Sequence, residues 1–272
     1  MADLWNGEFR RSAVWPETAE ALIGIADLQP GMRVLDVGSA GGGTMFPALE
    51  RIGSSGSIVG IEVEEDWVEW LQKKIGERGI ENAQNLLMNG QSMTFADDSF
   101  DAVIVGLVGL DEDYDFETGE LINGAPLMRE VFRVLKPGCR LYNSNWLRQD
   151  DNEWMGELVR RRLPDCTKRG YFPGTEEGYL ALLRYAGFEE IHVTQFQGRY
   201  AYESPAEWMA CIGFIWEDEL ERIKADPATL QAFEQDAFAR LAEERNPDGQ
   251  IVYTRSAILV SARKPLSSQS KL

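Results

Sequence analysis

The segment that most constrains the fold is residues 34–44, which reads VLDVGSAGGGT. It opens with a short, mostly apolar run, which suits a parallel strand that is buried on both faces. A cluster of glycines follows, and the residues after it predict the opening of a helix. A glycine turn between a strand and a helix presents backbone N–H groups to a ligand at the carboxyl end of the strand. The segment therefore predicts a nucleotide-like ligand.

The spacing of the glycines distinguishes between kinds of nucleotide. A dinucleotide fingerprint requires G-x-G-x-x-G, whereas this run has Ala40 at the middle glycine position and reads G-x-x-G-G-G. Asp36, two residues before Gly38, would lie close under the loop. A carboxylate there repels a pyrophosphate and attracts a cationic or amino-bearing ligand. The pattern disfavours a nicotinamide site and points to S-adenosylmethionine.

The same segment resembles the first motif of the class I S-adenosylmethionine-dependent methyltransferases, an acidic residue followed by G-x-G-x-G. Ala40 then stands at the middle glycine and Gly42 at the third, unless the loop is registered one residue differently. Two later phrases, DDSFDAV at 97–103 and RVLKPG at 133–138, resemble further motifs of this family. The resemblance is to its small-molecule, methyltransferase type 11-like branch and covers about residues 31–188.

The resemblance implies an α/β fold. We expect a Rossmann-like, doubly wound, seven-stranded mixed sheet with helices on both faces and an antiparallel last strand. Residues 1–272 are predicted to form a single domain, with residues 1–30 as an N-terminal helical lid.

Two segments, 147–175 and 200–247, are expected to be insertions that add a helical cap. Both are rich in aromatic and apolar residues, which favours a cover over an enclosed small-molecule site, although such residues also suit an ordinary core. Thr175 and Ser204 predict helix N-caps within this region.

A second ligand position follows from the next predicted strand, residues 57–63. Glu62 lies near its carboxyl end. A carboxylate there can accept hydrogen bonds from both hydroxyl groups of a ribose. The alternative is an exposed acid that caps the next helix. In the resemblance, Glu62 is the ribose-binding acid.

The remaining cofactor contacts are predicted at the ends of neighbouring strands. The turn at 89–91 follows a short third strand, where the family has contacts to adenine, and an ordinary Asn-Gly turn is the alternative. A fourth strand is predicted at 102–110, and ligands bind beyond the carboxyl ends of such strands. The predicted cofactor-binding residues are Asp36, Gly38, Ser39, Ala40, Gly41, Thr44, Glu62, Val63, Asn89, Gly90, Gln91, Gly106 and Leu107.

The resemblance implies transfer of a methyl group from a sulfonium to an O, N or C nucleophile by in-line displacement. Holding the nucleophile about 3 Å from the methyl carbon supplies much of the acceleration, so no catalytic residue is strictly required. The only histidine, His192, lies between apolar residues and is expected to be a packed or solvent-facing strand residue. If a general base exists, the candidates are Asp111, Glu112, Asp113, Tyr114 and Tyr142.

Composition limits the substrate and the compartment. The net charge is −18, from 45 acidic and 27 basic residues, so long-range repulsion opposes binding of nucleic acid. The sequence has no long apolar run, and its 3 cysteines form no C-x-x-C pair. We therefore predict a cytoplasmic protein with a small-molecule methyl acceptor and with no nucleic acid, membrane or metal partner. A monomer and a homodimer remain open.

Two rival functions follow from the same residues. A non-catalytic S-adenosylmethionine-binding module for regulation or assembly would keep the same loop and Glu62. A nicotinamide dehydrogenase is the weaker rival because Ala40 departs from its fingerprint. The sequence does not determine the identity of the methyl acceptor, the accepting atom or the use of a general base.

Overall fold

The computed structural model describes residues 16–166 and 174–266 of the 272 residues. Of the predicted lid at 1–30, residues 1–15 lie outside this part of the chain. The described residues divide into two compact units. We name residues 16–147, 174–196 and 257–266 the sheet unit, and residues 148–166 and 197–256 the helical unit.

Strands and helices alternate over most of the chain. The first half contains α1 (Pro16–Ile25), β1 (Arg33–Val37), α2 (Met45–Ile52), β2 (Ser57–Glu62), α3 (Glu65–Glu77), β3 (Ala83–Leu87), β4 (Phe100–Gly106), β5 (Tyr114–Asp115) and β6 (Glu120–Leu121). The second half contains α4 (Pro126–Val134), β7 (Leu135–Gln149), α5 (Asp150–Arg162), α6 (Glu176–Tyr185), β8 (Glu189–Tyr202), α7 (Pro205–Ile212), a 3-10 helix (Gly213–Trp216), α8 (Glu217–Lys224), α9 (Pro227–Glu243) and β9 (Ile251–Arg263).

One sheet of seven strands has the order β3-β2-β1-β4-β7-β9-β8. The pairs from β3 to β7 are parallel. Strand β9 is antiparallel to its neighbour β7. Gly138 N donates to Lys264 O at 2.8 Å, and Lys264 N donates to Cys139 O at 2.9 Å. These bonds join the end of β9 to the beginning of β7. The predicted doubly wound, seven-stranded mixed sheet is confirmed.

Both faces of the central strands are apolar, which is why helices cover both. Leu35 of β1 belongs to a core formed with α4 and α6, whereas its neighbour Val34 belongs to a core formed with α1, α2 and α3. Side chains alternate between the two faces of a strand. With both faces covered, the carboxyl ends of the parallel strands are the places where a ligand can reach the sheet.

The helical unit is built around a buried ion pair. Asp151 of α5 and Arg255 of β9 are both fully buried, and Arg255 Nε donates to Asp151 Oδ1 at 3.1 Å. Trp208 Nε1 donates to Asp151 Oδ2 at 3.2 Å, and the Trp208 ring stacks on Trp154 with centroids 4.8 Å apart. Because indole rings surround the charges, little water screens them, and the pair fixes α5 against β9.

Local side chains fix where several helices begin. Thr175 Oγ1 accepts from Gly178 N and Ser204 Oγ accepts from Glu207 N, each at 3.1 Å. Each bond satisfies an N–H group that the first helical turn leaves without a partner. Both predicted N-caps are therefore present.

Some element boundaries differ from the sequence predictions. Strand β4 was predicted at 102–110 but ends at Gly106, because Leu107 has a φ of 57° and turns the chain out of the sheet. In the acidic run at 111–115, residues 111–113 form a turn, and Tyr114 and Asp115 form β5, which pairs with β6. The segments predicted as a cap, 147–175 and 200–247, overlap the helical unit. Their role as a cap stays a prediction.

Within the described ranges, every helix falls short of the length and apolar character that a membrane span requires.

Replacing Asp151 tests the importance of the buried ion pair. Asp151→Asn removes the charge that faces the buried Arg255 guanidinium, so the free energy of unfolding should fall by about 3–5 kcal/mol. The matched control is Asp165→Asn, which breaks an exposed ion pair with Arg222 and should cost less than about 1 kcal/mol. Urea unfolding followed by tryptophan fluorescence measures both variants. Equal effects would contradict the central role of the pair.

Candidate functional site

The glycine loop, residues 38–43, is held by the strand beside it. Gly38 N and Ser39 N both donate to Ile61 O of β2, at 2.9 and 3.1 Å. Ala40 N donates to Glu62 Oε2 at 3.1 Å. Three successive backbone amides of the loop are thus directed at the end of β2.

Backbone angles decide the register of the loop. Gly38, Ala40 and Gly42 have φ values of 70°, 38° and 79°, so every second residue is left-handed. Glycine adopts this region without steric cost. Ala40 therefore occupies the middle glycine position of a G-x-G-x-G loop and Gly42 the third, which decides between the two registers that the sequence allows.

A buried carboxyl group lies beneath the loop. Asp36 is fully buried, and the Thr44 hydroxyl donates to it with Oγ1 at 2.8 Å from Oδ1 and 2.9 Å from Oδ2. Burial raises the pKa of Asp36 to about 7, although the Thr44 hydrogen bond lowers the pKa and the Glu62 carboxylate raises it further. Thr44 precedes α2 but makes no side-chain cap bond. Asp36 and Thr44 therefore connect the strand to the helix under the loop.

Glu62 is oriented by backbone amides. Its Oε1 accepts from Val63 N at 2.7 Å, while Oε2 accepts from Ala40 N. The carboxylate is largely buried at the carboxyl end of β2. These bonds fix the side chain in one orientation, which is the kind of pre-organisation that a binding residue needs.

The other predicted cofactor residues lie at the ends of β3 and β4. Gln91 N donates to Asn89 Oδ1 at 2.8 Å, so this stretch is also the Asn-Gly turn of the alternative interpretation. A Cβ on Gly90 would lie 2.8 Å from Leu127 Cδ1, so a side chain there would require Leu127 to move. Leu107 N donates to Ser144 O at 2.9 Å. The structure thus brings the predicted residues together along four adjacent strand ends of the sheet unit.

These strand ends suit an adenosyl group. A Cβ on Gly38 would lie 2.4 Å from Val108 Cγ2, so only a bare backbone fits at that point of the loop. Beside the Glu62 carboxylate, Val63 and Leu87 are apolar but 61% and 55% exposed. Exposed apolar side chains next to a carboxylate suit a ligand that joins hydroxyl groups to an aromatic ring.

The candidate general bases occupy different environments. Asp113 is buried, and its Oδ1 and Oδ2 accept from Leu127 N at 3.1 Å and Met128 N at 2.8 Å. Burial raises the pKa of this carboxyl group, and the two backbone hydrogen bonds oppose the shift. Asp113 therefore has a second role, as the cap of the first turn of α4.

The two tyrosine candidates are both buried. Tyr114 packs in the core against Phe116, with ring centroids 5.1 Å apart. The Tyr142 hydroxyl accepts from Asp27 N at 3.0 Å, in the connection that leads into the amino end of β1. Burial is the largest cause of the raised pKa of Tyr142.

Asp111 and Glu112 are the two exposed candidates. Gln91 Nε2 donates to Glu112 Oε2, which links the acidic segment to the turn after β3.

Metal-binding side chains do not cluster in residues 16–166 and 174–266: no three His, Cys, Asp or Glu residues gather there as they would around an ion. Asn143 and Asn145 of β7 hydrogen bond to each other, with Asn145 Nδ2 donating to Asn143 Oδ1 at 2.8 Å.

One residue of the site was missed by sequence reasoning. Asn85 of β3 is 5% exposed, and its Oδ1 accepts from the Ser39 hydroxyl at 2.7 Å. The available signal was Gly60, a glycine in the interior of the apolar strand β2, because such a glycine marks a close approach of another group.

Comparison with known proteins assigns the family. The sequence model of the ubiE/COQ5 methyltransferase family matches residues 8–149, which is more than half of the chain and includes every site residue described above. The chain belongs to the ubiE/COQ5 methyltransferase family. The resemblance to the S-adenosylmethionine-dependent methyltransferases is thereby confirmed.

Individual relatives agree with this family assignment. A demethylmenaquinone methyltransferase of Lactococcus lactis subsp. lactis (strain IL1403) is 31% identical over 133 residues, which are 49% of this chain and 48% of the relative. A nocamycin O-methyltransferase of Saccharothrix syringae is 36% identical over 89 residues, 33% of this chain and 32% of the relative. The chain thus spans half or less of the length of these relatives.

A solved structure supports the fold over a longer stretch. Phosphoethanolamine N-methyltransferase 2 of Haemonchus contortus, in complex with S-adenosyl-L-methionine, superposes with a TM-score of 0.55 at 17% identity. The superposition covers 92% of this chain and 53% of that chain. At this identity the likeness establishes the fold alone.

Ala40→Gly is expected to stabilise this family member. Glycine removes the left-handed strain at φ 38°, so the free energy of unfolding should rise by about 1 kcal/mol. The matched control is Ala21→Gly in the interior of α1, which should lower it by about 1 kcal/mol. Urea unfolding of both variants gives the two signs, and a loss of stability in Ala40→Gly would contradict the left-handed assignment.

Asp36 makes stability depend on pH. Its pKa of about 7 in the folded protein exceeds its ordinary value of 3.8, so the folded state binds the extra proton between these values. The free energy of unfolding therefore falls as pH rises through this window. Asp36→Asn removes the titrating group and keeps an oxygen that accepts from Thr44.

Urea unfolding at about pH 5 and about pH 8 compares the two proteins. Between these pH values the wild type should lose about 2.5 kcal/mol more than Asp36→Asn. Parallel pH profiles would rule out a raised pKa for Asp36.

Proposed function

We propose that this protein is an S-adenosylmethionine-dependent methyltransferase that moves a methyl group to an O, N or C nucleophile of a small molecule. The observation that carries the proposal is the Glu62 carboxylate, oriented by Ala40 N and Val63 N at the carboxyl end of β2. Membership of the ubiE/COQ5 methyltransferase family supports the same conclusion.

The residues of the glycine loop and the strand ends divide the task of holding the cofactor. Glu62 would accept hydrogen bonds from the hydroxyl groups of the ribose, and the exposed side chains of Val63 and Leu87 would pack against the base. The glycine loop would approach the cofactor with its backbone. A cationic ligand near the buried Asp36 would stabilise the ionised form of this carboxyl group, because opposite charges attract strongly where water is excluded.

The bound cofactor would supply an activated methyl group on a sulfonium. The protein then needs to exclude water and to hold the acceptor in line with the carbon–sulfur bond, because positioning alone supplies much of the acceleration. If the acceptor must lose a proton, Asp111 and Glu112 are the exposed acids of the segment after β4. A base within hydrogen-bond reach of the acceptor is the geometric requirement.

The acceptor is proposed to be a small molecule. Both sequence relatives are named for methyl transfer to such compounds, demethylmenaquinone and nocamycin. The net charge of −18 disfavours a nucleic acid acceptor. A cytoplasmic location and a monomeric or homodimeric state are part of the same proposal.

The first test is a thermal shift with S-adenosylmethionine, S-adenosylhomocysteine and NAD. A ligand that binds the folded state at about 100 times its Kd adds about 2.7 kcal/mol of stability, so both adenosyl compounds should raise the melting temperature by several degrees. Glu62→Gln should abolish the shift. The matched control Glu65→Gln changes an exposed acid at the start of α3 and should retain it.

A shift with NAD alone, or no shift with either adenosyl compound, would overturn the proposal. Methyl transfer is then followed with cofactor labelled in the methyl group and incubated with fractionated cell extract. Label should enter the small-molecule fraction, and label in nucleic acid would contradict the acceptor class. Binding of the cofactor without transfer to any fraction would favour a non-catalytic binding module.

A further inference from the structure

We propose that Asn85 is a positioning residue for cofactor binding, which holds the glycine loop through the hydroxyl of Ser39. The inference rests on the proposed function, since it assigns a role in binding S-adenosylmethionine. Asn85 lies on β3, the edge strand of the sheet, and one strand, β2, separates β3 from β1, which leads into the loop. It belongs to no motif that the sequence analysis identified.

The contact runs across the neighbouring strand. Asn85 stands opposite Gly60 of β2 in the parallel register. Its Oδ1 accepts from Ser39 Oγ at 2.7 Å, while Ser39 N donates to Ile61 O at 3.1 Å. Ser39 Oγ also lies 3.4 Å from Ile61 O, a longer contact than the one to Asn85. The second residue of the loop is therefore held through both its backbone and its side chain.

Gly60 leaves the gap through which this contact is made. A Cβ at Gly60 would lie 2.6 Å from Asn85 Oδ1, 2.6 Å from Met45 Cε and 2.9 Å from Ser39 Cβ. Real Cβ atoms do not approach other heavy atoms so closely, so any side chain at position 60 would push Asn85 and Ser39 apart. The glycine inside an otherwise apolar strand thus has a specific use.

The Asn85 side chain is poorly suited to a purely structural role. Only its oxygen is used: Nδ2 is buried and has no hydrogen-bond partner among the described residues. A buried donor without a partner costs free energy, and an apolar side chain of similar volume would avoid that cost. What an apolar side chain would lack is the oxygen that holds Ser39. The amide therefore serves the loop rather than the core.

The hold on Ser39 matters because the loop must be rigid before the ligand arrives. Ser39 lies between Gly38 and Ala40, and Ala40 N is the group that orients Glu62. A loop that moves must be ordered on binding, and the ordering reduces affinity. Loss of the Asn85 contact is thus expected to weaken cofactor binding while leaving the stability of the ligand-free protein close to that of the wild type.

The experiment is a double-mutant cycle measured by calorimetric titration with S-adenosylmethionine and with S-adenosylhomocysteine. Asn85→Leu and Ser39→Ala should each raise the Kd of both compounds by about fivefold to tenfold, the size expected for one hydrogen bond. In the Ser39→Ala background, Asn85→Leu should change the Kd by less than about twofold, because the contact is already lost. The matched control is Gln84→Leu, the exposed neighbour on β3, which should bind like the wild type.

Each outcome has one meaning. The positioning role is overturned if the fold-changes in Kd of the two single variants multiply in the double variant. It is also overturned if Asn85→Leu binds the two compounds like the wild type. A large drop in the melting temperature of ligand-free Asn85→Leu, with an unchanged Kd, would indicate a structural role and would overturn the proposal as well. If Asn85→Leu does not fold, Asn85→Ala completes the cycle. Failure of the wild type to bind either compound would instead refute the proposed function.

Discussion

The glycine loop of this protein is held by β2, the strand beside it, and the rest of the site depends on that attachment. Gly38 N and Ser39 N share Ile61 O, and Ala40 N binds the Glu62 carboxylate. To direct three successive amides at one strand end, the backbone alternates into the left-handed region, which glycine tolerates and alanine resists. The same bonds orient Glu62, so the loop and the carboxylate form one unit.

Two buried polar side chains, on strands that are otherwise mostly apolar, also support the glycine loop and the helix after it. Asp36 is fully buried and hydrogen bonds with Thr44 at the start of α2, while Asn85 reaches Ser39 from the edge strand. The first contact ties β1 to the residue that follows the loop, and the second ties β3 to Ser39 within the loop. Burial of the Asp36 carboxyl group is costly, as its raised pKa records, and a nearby positive charge on a ligand would offset that cost. The buried acid thus favours the cationic cofactor that we propose.

Prediction from the sequence succeeded where the signal is local. The apolar run of β1, the glycines of the loop and the cap residue Thr175 each act on their immediate neighbours in the chain. The boundaries of longer elements were less well predicted. Strand β4 ends early because Leu107 has a φ of 57° and turns the chain out of the sheet, although the apolar run continues past it. Asp113 is a candidate base in an acidic run, and only the structure shows that both of its oxygens also cap α4.

The sequence by itself determined the α/β fold and the family, and it indicated the strand ends that we propose as the binding site. It could do so because apolar periodicity and glycine spacing act over a few residues at a time. Only the tertiary structure decided which polar groups meet: that Ala40 fills the middle glycine position, that Glu62 is held by the loop, and that Asn85 reaches Ser39 past Gly60. These contacts depend on the register between strands, which burial and packing of the whole sheet set, and no single segment specifies it.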